Sequence, residues 1–335
     1  MNKGYEENSE CQCATKTKIR FLTHGITAAE EGRSVQSILK NEMRLSSGLT
    51  ARLKRVEKGI LLNGEKVFSN VRVSTGDIVS AAIGFCPEKH GALPFEILFE
   101  DDDLLIINKP AGAAVHGSQY DASVPSIERC VNEYYGGAGF FHPVSRLDRG
   151  TTGVMTIAKN GYVHERLSAA LHTDDYKRYY VGICDGWLAA DTGIINLPIK
   201  REDGPSVRRI IAADGAAAIT EFRRLTENGG AAVENAVIKA ETDVLKYGNC
   251  GGFTAVEFRL QTGRTHQIRV HSAAVGHPLV GDWLYGREAP EIIDRPALHS
   301  RRLELVHPVS GERLVIEAEL PSDMRRLFDN QKTKY

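Results

Sequence analysis

Asp148 sits between two arginines in the stretch RLDRGTTGVMTIAKN, residues 146–160. Guanidinium groups on both sides favour the ionised carboxylate, so this aspartate suits a nucleophile or a base better than an acid. The Thr-Thr-Gly that follows reads as a turn into a strand. A surface ion pair at a turn gives the same pattern, so this stretch alone leaves catalysis open. A second stretch, LQTGRTHQIRVHSAAVGHP (260–278), carries Arg264 and Arg269. Read as a helix capped by Thr265 and ended before Gly276 and Pro278, it places Arg269 in the early turns, where the helix dipole favours an anion. Read as a strand, it puts Gln267, Arg269 and His271 on one face. Between the two lies DDYKRYYVGI (174–183), a strand pattern with Lys177, Tyr179 and Val181 on one face. Tyr179 there can stack on a base or exchange a proton, and can equally be core.

Other common machinery is missing. No phosphate-cradling G-x-x-x-x-G-K-[ST] occurs, and Gly136-Gly137-Ala138-Gly139 lacks the dinucleotide spacing. The nucleophile elbow G-x-S-x-G and the zinc motif H-E-x-x-H are absent too. His266, His271 and His277 are spaced by five and six residues, which keeps them off one helix face. Six cysteines are too few for a disulfide scaffold, and Cys11-x-Cys13 has no partner pair at zinc spacing. The expectation is reduced thiols, no metal and no nucleotide cofactor.

These residues need a scaffold, and 335 residues suggest about two domains of ordinary globular composition. No run approaches the ~18 apolar residues of a membrane helix, and the polar start lacks a signal-peptide apolar core. A cytoplasmic protein is expected. The net charge of −1 hides an asymmetry: residues 33–66 hold eight bases against three acids. There, Val35, Ile38 and Leu39 recur at helical spacing. Ser46 or Ser47 then opens a second helix with a Leu49, Leu53, Val56 stripe and a stop signal at Lys58-Gly59. Asn63-Gly64 is a strong hairpin signal. On the second helix Arg52, Lys54, Arg55 and Lys58 fall outside the stripe, as a solvated face or as contacts to nucleic-acid phosphates.

The organisation expected is a flexible tail at 1–17, a small basic domain at 18–85 and a polar linker, CPEKHGALP, at 86–94. A larger domain follows at 95–335. Its strand runs (LLIINK, GVMTIA, YYVGIC, TAVEFRL, LVIEAEL) alternate irregularly with helical patterns such as VHERLSAALH. This is the signature of an α+β fold with a mostly antiparallel sheet. Residues 200–250 are weakly patterned and read as an insertion or long loop.

Two resemblances join these readings. LSSGLTARLKR, GILLNGEKV and VSTGDIV resemble the RNA-binding domain first seen in small-subunit ribosomal protein S-four. RLDRGTTG, K-R-Y, QTGRTHQIRVH, GHPLVGDWLYG and LHSRRLELVHP match, in order, the motifs of RluA-type RNA pseudouridine synthases. The second resemblance implies a cofactor-free isomerase that turns uridine into pseudouridine. Asp148 would be its essential carboxylate, Tyr179 the tyrosine that packs on the target base, and Arg269 the partner of the aspartate. Arg146 would contact RNA or hold the flipped nucleotide out. Lys109-Pro110 matches a recurrent NKP.G element, and Leu298-His299 a segment near the active site. The implied partner is RNA, with large-subunit ribosomal RNA first and tRNA second, acting on a monomer. Arg52, Lys54, Arg55, Lys58 and Arg264 are the further candidate RNA contacts. The competing expectation is a non-catalytic RNA-binding or ribosome-assembly factor on the same scaffold.

Overall fold

The computed structural model describes residues 18–117, 126–137, 139–188, 190–225, 236–238 and 252–330, with backbone only at 236–238 and 328–330. The tail at 1–17, Cys11, Cys13, Cys250 and residues 226–235 and 239–250 of the expected insertion lie outside the described residues. The chain divides into two units between His90 and Gly91, with Tyr135–Ala138 grouped with the first. No helix among the described residues is long and apolar enough to cross a membrane.

The first unit runs β1 (Lys18–Gly25), α1 (Val35–Asn41), α2 (Ser47–Leu53), β2 (Ile60–Leu62), β3 (Glu65–Lys66) and β4 (Ile78–Cys86). The strands form one antiparallel sheet in the order β1-β4-β2-β3. Ser34 and Ser46 cap the two helices, each side chain accepting a backbone N–H three residues on. The buried Val35, Ile38 and Leu39 meet the inward residues of β4, among them Val79, Ala81 and Ile83, in the unit's core. Asn63 (φ 52°) and Gly64 (φ 88°) form the tight turn that their types signal.

Helix α2 is shorter than its apolar stripe suggests. Beyond Leu53 the N–H groups of Arg55 and Val56 bond back three residues rather than four, so the chain tightens and leaves the helix. Val56 is 47% exposed instead of completing the stripe. Gly59 is no left-handed cap. A β-carbon there would strike the backbone carbonyl of Leu53, so the glycine allows a close approach.

The second unit holds an 11-stranded sheet. Its strands are β5 (Ile97–Glu100), β6 (Leu104–Lys109), β7 (His142–Pro143), β8 (Thr152–Ala158), β9 (Tyr176–Asp185) and β10 (Thr192–Asn196). They continue with β13 (Ile219–Arg224), β14 (Ala236–Ile238), β15 (Phe253–Leu260), β16 (Leu298–Val306) and β17 (Arg313–Glu317). The ribbon β11 (Ile199–Arg201) and β12 (Arg209–Ile211) stands apart as a separate pair. Helices α3 (Ile127–Tyr134), α4 (Gly161–Ala170), α5 (Gln267–Ala274) and α6 (Ser322–Asn330) complete the unit. The order is β14-β10-β13-β15-β9-β16-β8-β6-β5, with β17 on β16 and β7 on β8. All pairs are antiparallel except β10 with β14 and β8 with β16. This is the α+β, mostly antiparallel architecture that the strand runs imply. Between β5 and β6 the Asp101 carboxylate accepts the N–H groups of Asp103 and Leu104, closing the acidic turn. Met324 and Leu327 of α6 pack on Val181 and Ile183 of β9.

The parallel pair sets the functional end of the sheet. Strands β8 and β16 start side by side, with Thr152 opposite His299 and Gly153 opposite Ser300. Gly153 (φ 107°) makes this possible, since a β-carbon would collide with the Ser300 backbone. The loop that leads into β8 therefore reaches the start of β16, beside β9.

Candidate active site

That loop carries Asp148, and two buried cations hold it. Lys109, fully buried at the end of β6, donates from Nζ to the carbonyls of Pro110 (3.0 Å), Arg149 (3.2 Å) and Thr151 (3.0 Å). Burial pushes its pKa down to about 8, against the upward pull of the nearby Asp148. Arg295 donates to the Gly150 carbonyl (3.1 Å) and makes a two-pronged pair with Asp323 (2.8 and 2.9 Å). Three consecutive carbonyls after Asp148 are thus tied down, and the Thr151 N–H closes on the Asp148 carbonyl. The cations satisfy backbone oxygens of the turn, the Arg149 carbonyl accepting the Gly112 N–H as well.

Asp148 itself is partly open, with its side chain 27% exposed. Arg269 Nη1 donates to its Oδ2 at 3.3 Å. Helix α5 delivers Arg269 from its first turn, as the helical reading of the segment requires. The cap differs from expectation. His266, not Thr265, occupies the N-cap, in the left-handed conformation (φ 58°, ψ 19°), and its side chain makes no capping bond. The other prongs of Arg269, Nε and Nη2, go to Asp282 at 2.7 Å each. Burial works against the Arg269 charge, but the Asp282 bonds and the nearby Asp148 outweigh it and raise its pKa. Asp282 is fully buried and also accepts the N–H groups of Leu284 and Tyr285. The Arg269 guanidinium lies over the Tyr285 ring, 5.1 Å from its centroid.

Asp148 and Arg269 border an open cleft, lined also by Arg146, Tyr180, Arg264, His266 and Leu298. Of the residues singled out in the sequence, the structure brings together Asp148, Arg269, Arg146 and Arg264. The last two are exposed at the rim. It does not bring Tyr179 there. Tyr179 and Tyr180 are neighbours on β9 and point to opposite faces. Tyr179 stacks under Arg302, 4.2 Å from ring centroid to guanidinium carbon. Tyr180 is the tyrosine that lines the cleft, buried to 5% exposure, and burial raises the pKa of its phenol. A tyrosine held in its phenol form presents a ring wall rather than a ready base. Arg52, Lys54, Arg55 and Lys58 are exposed in the first unit.

Asp282, Arg295, His266 and Tyr285 escaped the sequence reading. GHPLVGDWLYG displays Asp282 and Tyr285 as a motif, but nothing local marks Asp282 as the partner of Arg269.

The three histidines occupy three places. His271 donates from Nε2 to the Leu197 carbonyl, and His277 uses Nδ1 toward the Asp185 carbonyl. Among the described residues one trio, Asp101, Asp103 and His307, has ligand atoms within metal-site distance. His307 Nδ1 accepts the N–H groups of Val309 and Ser310, so its proton sits on Nε2, 3.0 Å from Asp101 Oδ2. A protonated nitrogen does not ligate a metal, and His307 is instead set against the Asp101 carboxylate. Cys86, Cys130 and Cys184 are reduced, in no disulfide, and burial pushes Cys184 up to about 12.

Comparison with known proteins identifies the family. A family model described as RNA pseudouridylate synthase matches residues 103–274. The RNA pseudouridine synthase YhcT of Bacillus subtilis is 34% identical over 319 residues, covering 92% of this chain and 97% of its own. The ribosomal large subunit pseudouridine synthase D of Salmonella typhimurium is 32% identical, covering 82% and 83%. That of Zymomonas mobilis is 33% identical, covering 70% and 72%. Human RNA pseudouridylate synthase domain containing 1 shares the fold, with a TM-score of 0.51 at 19% identity over 74% of this chain and 98% of its own. The chain belongs to the RNA pseudouridylate synthase family. It is an isomerase that converts uridine to pseudouridine in RNA.

Proposed function

We propose that this enzyme modifies large-subunit ribosomal RNA, with Asp148 as its essential carboxylate. One observation carries the catalytic part: Asp148 and Arg269, 121 residues apart in sequence, meet at 3.3 Å in an open cleft walled by Tyr180. The reaction breaks the bond from ribose C1′ to uracil N1 and joins C1′ to C5. The C5 proton then leaves, and N1 takes one up. Asp148 acts at the ribose, as nucleophile or as the base for a ribose proton. Arg269 fixes the carboxylate against the developing charge. Tyr180 gives the extruded base a ring to lie against, and Arg146 and Arg264 at the rim meet the flanking phosphates.

The ribosomal assignment draws on the relatives called ribosomal large subunit pseudouridine synthase D. The exposed Arg52, Lys54, Arg55 and Lys58 support a phosphate-binding role for the first unit.

Transcripts of ribosomal RNA and of tRNA, tritiated at uridine C5, separate the possibilities. Tritium release from the ribosomal transcript alone, abolished in Asp148→Asn, is expected. Release from tRNA alone replaces the ribosomal assignment. An Asp148→Asn enzyme with normal release removes Asp148 from its role.

A further inference from the structure

We infer that His266 is a positioning residue for the isomerisation: together with Arg269 it takes up one oxygen of Asp148, Oδ2, and leaves Oδ1 as the oxygen that meets the substrate. The inference rests on the proposal that Asp148 is the essential carboxylate.

The first observation is in the backbone. His266 is one of three non-glycine residues at positive φ among the described residues, with Arg44 and Asn63, and it alone borders the cleft. Residues with a β-carbon adopt this conformation in only a few per cent of cases, histidine, asparagine and aspartate more often than the rest. It persists where the surroundings over-determine it, often at working sites. Here it frees the imidazole from capping α5 and turns it to the cleft.

The second observation is a hydrogen-bond chain that fixes the ring's proton. The backbone N–H of Arg209, on the ribbon strand β12, donates to the Tyr285 hydroxyl oxygen at 2.8 Å. His266 Nδ1 lies 2.8 Å from the same oxygen. The arrangement that uses every donor has the Tyr285 O–H donating to Nδ1, so the proton of the neutral ring sits on Nε2. Burial lowers the pKa of His266, partly countered by Asp148, which agrees with a neutral ring.

The third observation is where Nε2 points. It lies 3.8 Å from Asp148 Oδ2, the same oxygen that accepts from Arg269. That is just beyond hydrogen-bond reach, a gap that such contacts close when substrate arrives. Among the described residues no donor bonds Oδ1. A carboxylate held at Oδ2 by Arg269, with the His266 Nε2–H facing the same oxygen at 3.8 Å, is biased to one orientation and presents Oδ1. Orientation of this kind is worth a large factor in rate.

Two substitutions at one position test this, because backbone and side chain call for opposite residues. Asparagine suits the left-handed conformation, and its amide overlays the Nδ1 side of the ring, but nothing of it reaches Nε2. Glutamine suits the backbone no better than histidine, yet its amide reaches the Nε2 position. Steady-state tritium release would be measured for His266→Asn, His266→Gln and Asp148→Asn on the substrate transcript. We expect His266→Gln to stay within about fivefold of the native kcat, and His266→Asn to lose about tenfold or more with KM little changed. Tyr285→Phe, which frees the ring to shift its proton, should lower kcat by about threefold or more without raising KM. His266→Asn as fast as His266→Gln overturns the inference and leaves the residue a backbone role. A loss confined to KM overturns it too, by placing the imidazole on the RNA. Normal activity in Asp148→Asn would instead remove the reading beneath, so the two failures are told apart.

Discussion

Arg269 is bound first to Asp282 and only then to Asp148: two 2.7 Å bonds hold it to the buried carboxylate, and one of 3.3 Å reaches the half-open one. The short pair fixes the guanidinium plane, and the remaining prong is what Asp148 meets. The geometry predicts different outcomes for the two carboxylates. Asp282→Asn leaves a buried arginine short of its counter-charge, and breaking such a pair costs about 3 kcal/mol or more. It should lower both stability and kcat, the latter by about tenfold or more as Arg269 shifts from its place. Asp148→Asn should abolish turnover while leaving urea stability within about 1 kcal/mol, because its carboxylate is partly solvated. Denaturation curves and tritium release on both variants decide this. An Asp282→Asn enzyme with native stability would show that the fork does not carry the arginine.

The adjacent tyrosines of β9 allow a clean comparison. Tyr180 lines the cleft and Tyr179 stacks under Arg302 on the other face. Tyr180→Leu removes the ring wall and is expected to reduce kcat by about 100-fold or more, with binding of the RNA as a whole nearly unchanged. Tyr179→Leu should change kcat by less than about threefold, as a surface substitution away from the site. The opposite ranking in the tritium assay would return the role to Tyr179.

That pair also shows how far the sequence could be read. The motif around Asp148 and the helix start at Arg269 were legible because each is local: an aspartate between arginines, an arginine in a first turn. Choosing between neighbouring tyrosines depends on strand register, where a shift of one residue exchanges the faces. Asp282 was visible as a letter, but its fork with Arg269 is tertiary. The conformation of His266 leaves no trace in residue type, since left-handed positions are signalled by glycine or asparagine. The position of Gly59 suggests a helix cap, although the glycine is needed for close approach to Leu53. Individual strands were legible from their apolar runs. Their order was not, because the site depends on β8 meeting β16, where Thr152 and His299 bond across 147 residues.

Two buried histidines make the second unit sensitive to acid. His271 accepts from the Thr220 hydroxyl and donates to the Leu197 carbonyl; His299 accepts from Thr152 and donates to the Ala318 carbonyl. Burial pushes both down from an ordinary 6.5 to about 4. Between these values the unfolded chain binds the protons and the folded chain does not. Their contribution to stability is therefore complete above pH 6.5 and is lost as the pH falls toward 4. Each contributes a slope of up to about 1.4 kcal/mol per pH unit in that window. Urea melts at pH 7, 6 and 5 should show this loss, and His299→Asn should flatten it by about half of the histidine share. Equal slopes in the native and variant proteins would place the acid sensitivity elsewhere.

The basic residues of the first unit carry a prediction of a different kind, because they are assigned to binding and not to chemistry. Arg52, Lys54, Arg55 and Lys58 are exposed, and among the described residues none of them is in an ion pair. Their charges are thus free to displace counter-ions from RNA phosphates. Each phosphate contact contributes about 0.7 to 0.9 to the slope of log affinity against log salt. Replacing all four by alanine should cut that slope by about 3 and weaken binding by about tenfold or more at moderate salt. The rate at saturating RNA should not move, because saturation offsets the loss of binding and the four take no part in the isomerisation step. Filter binding across a salt series, with tritium release at high RNA concentration, reads both quantities. An unchanged slope would mean that these charges face solvent alone. A fall in the saturating rate would mean that the first unit does more than bind.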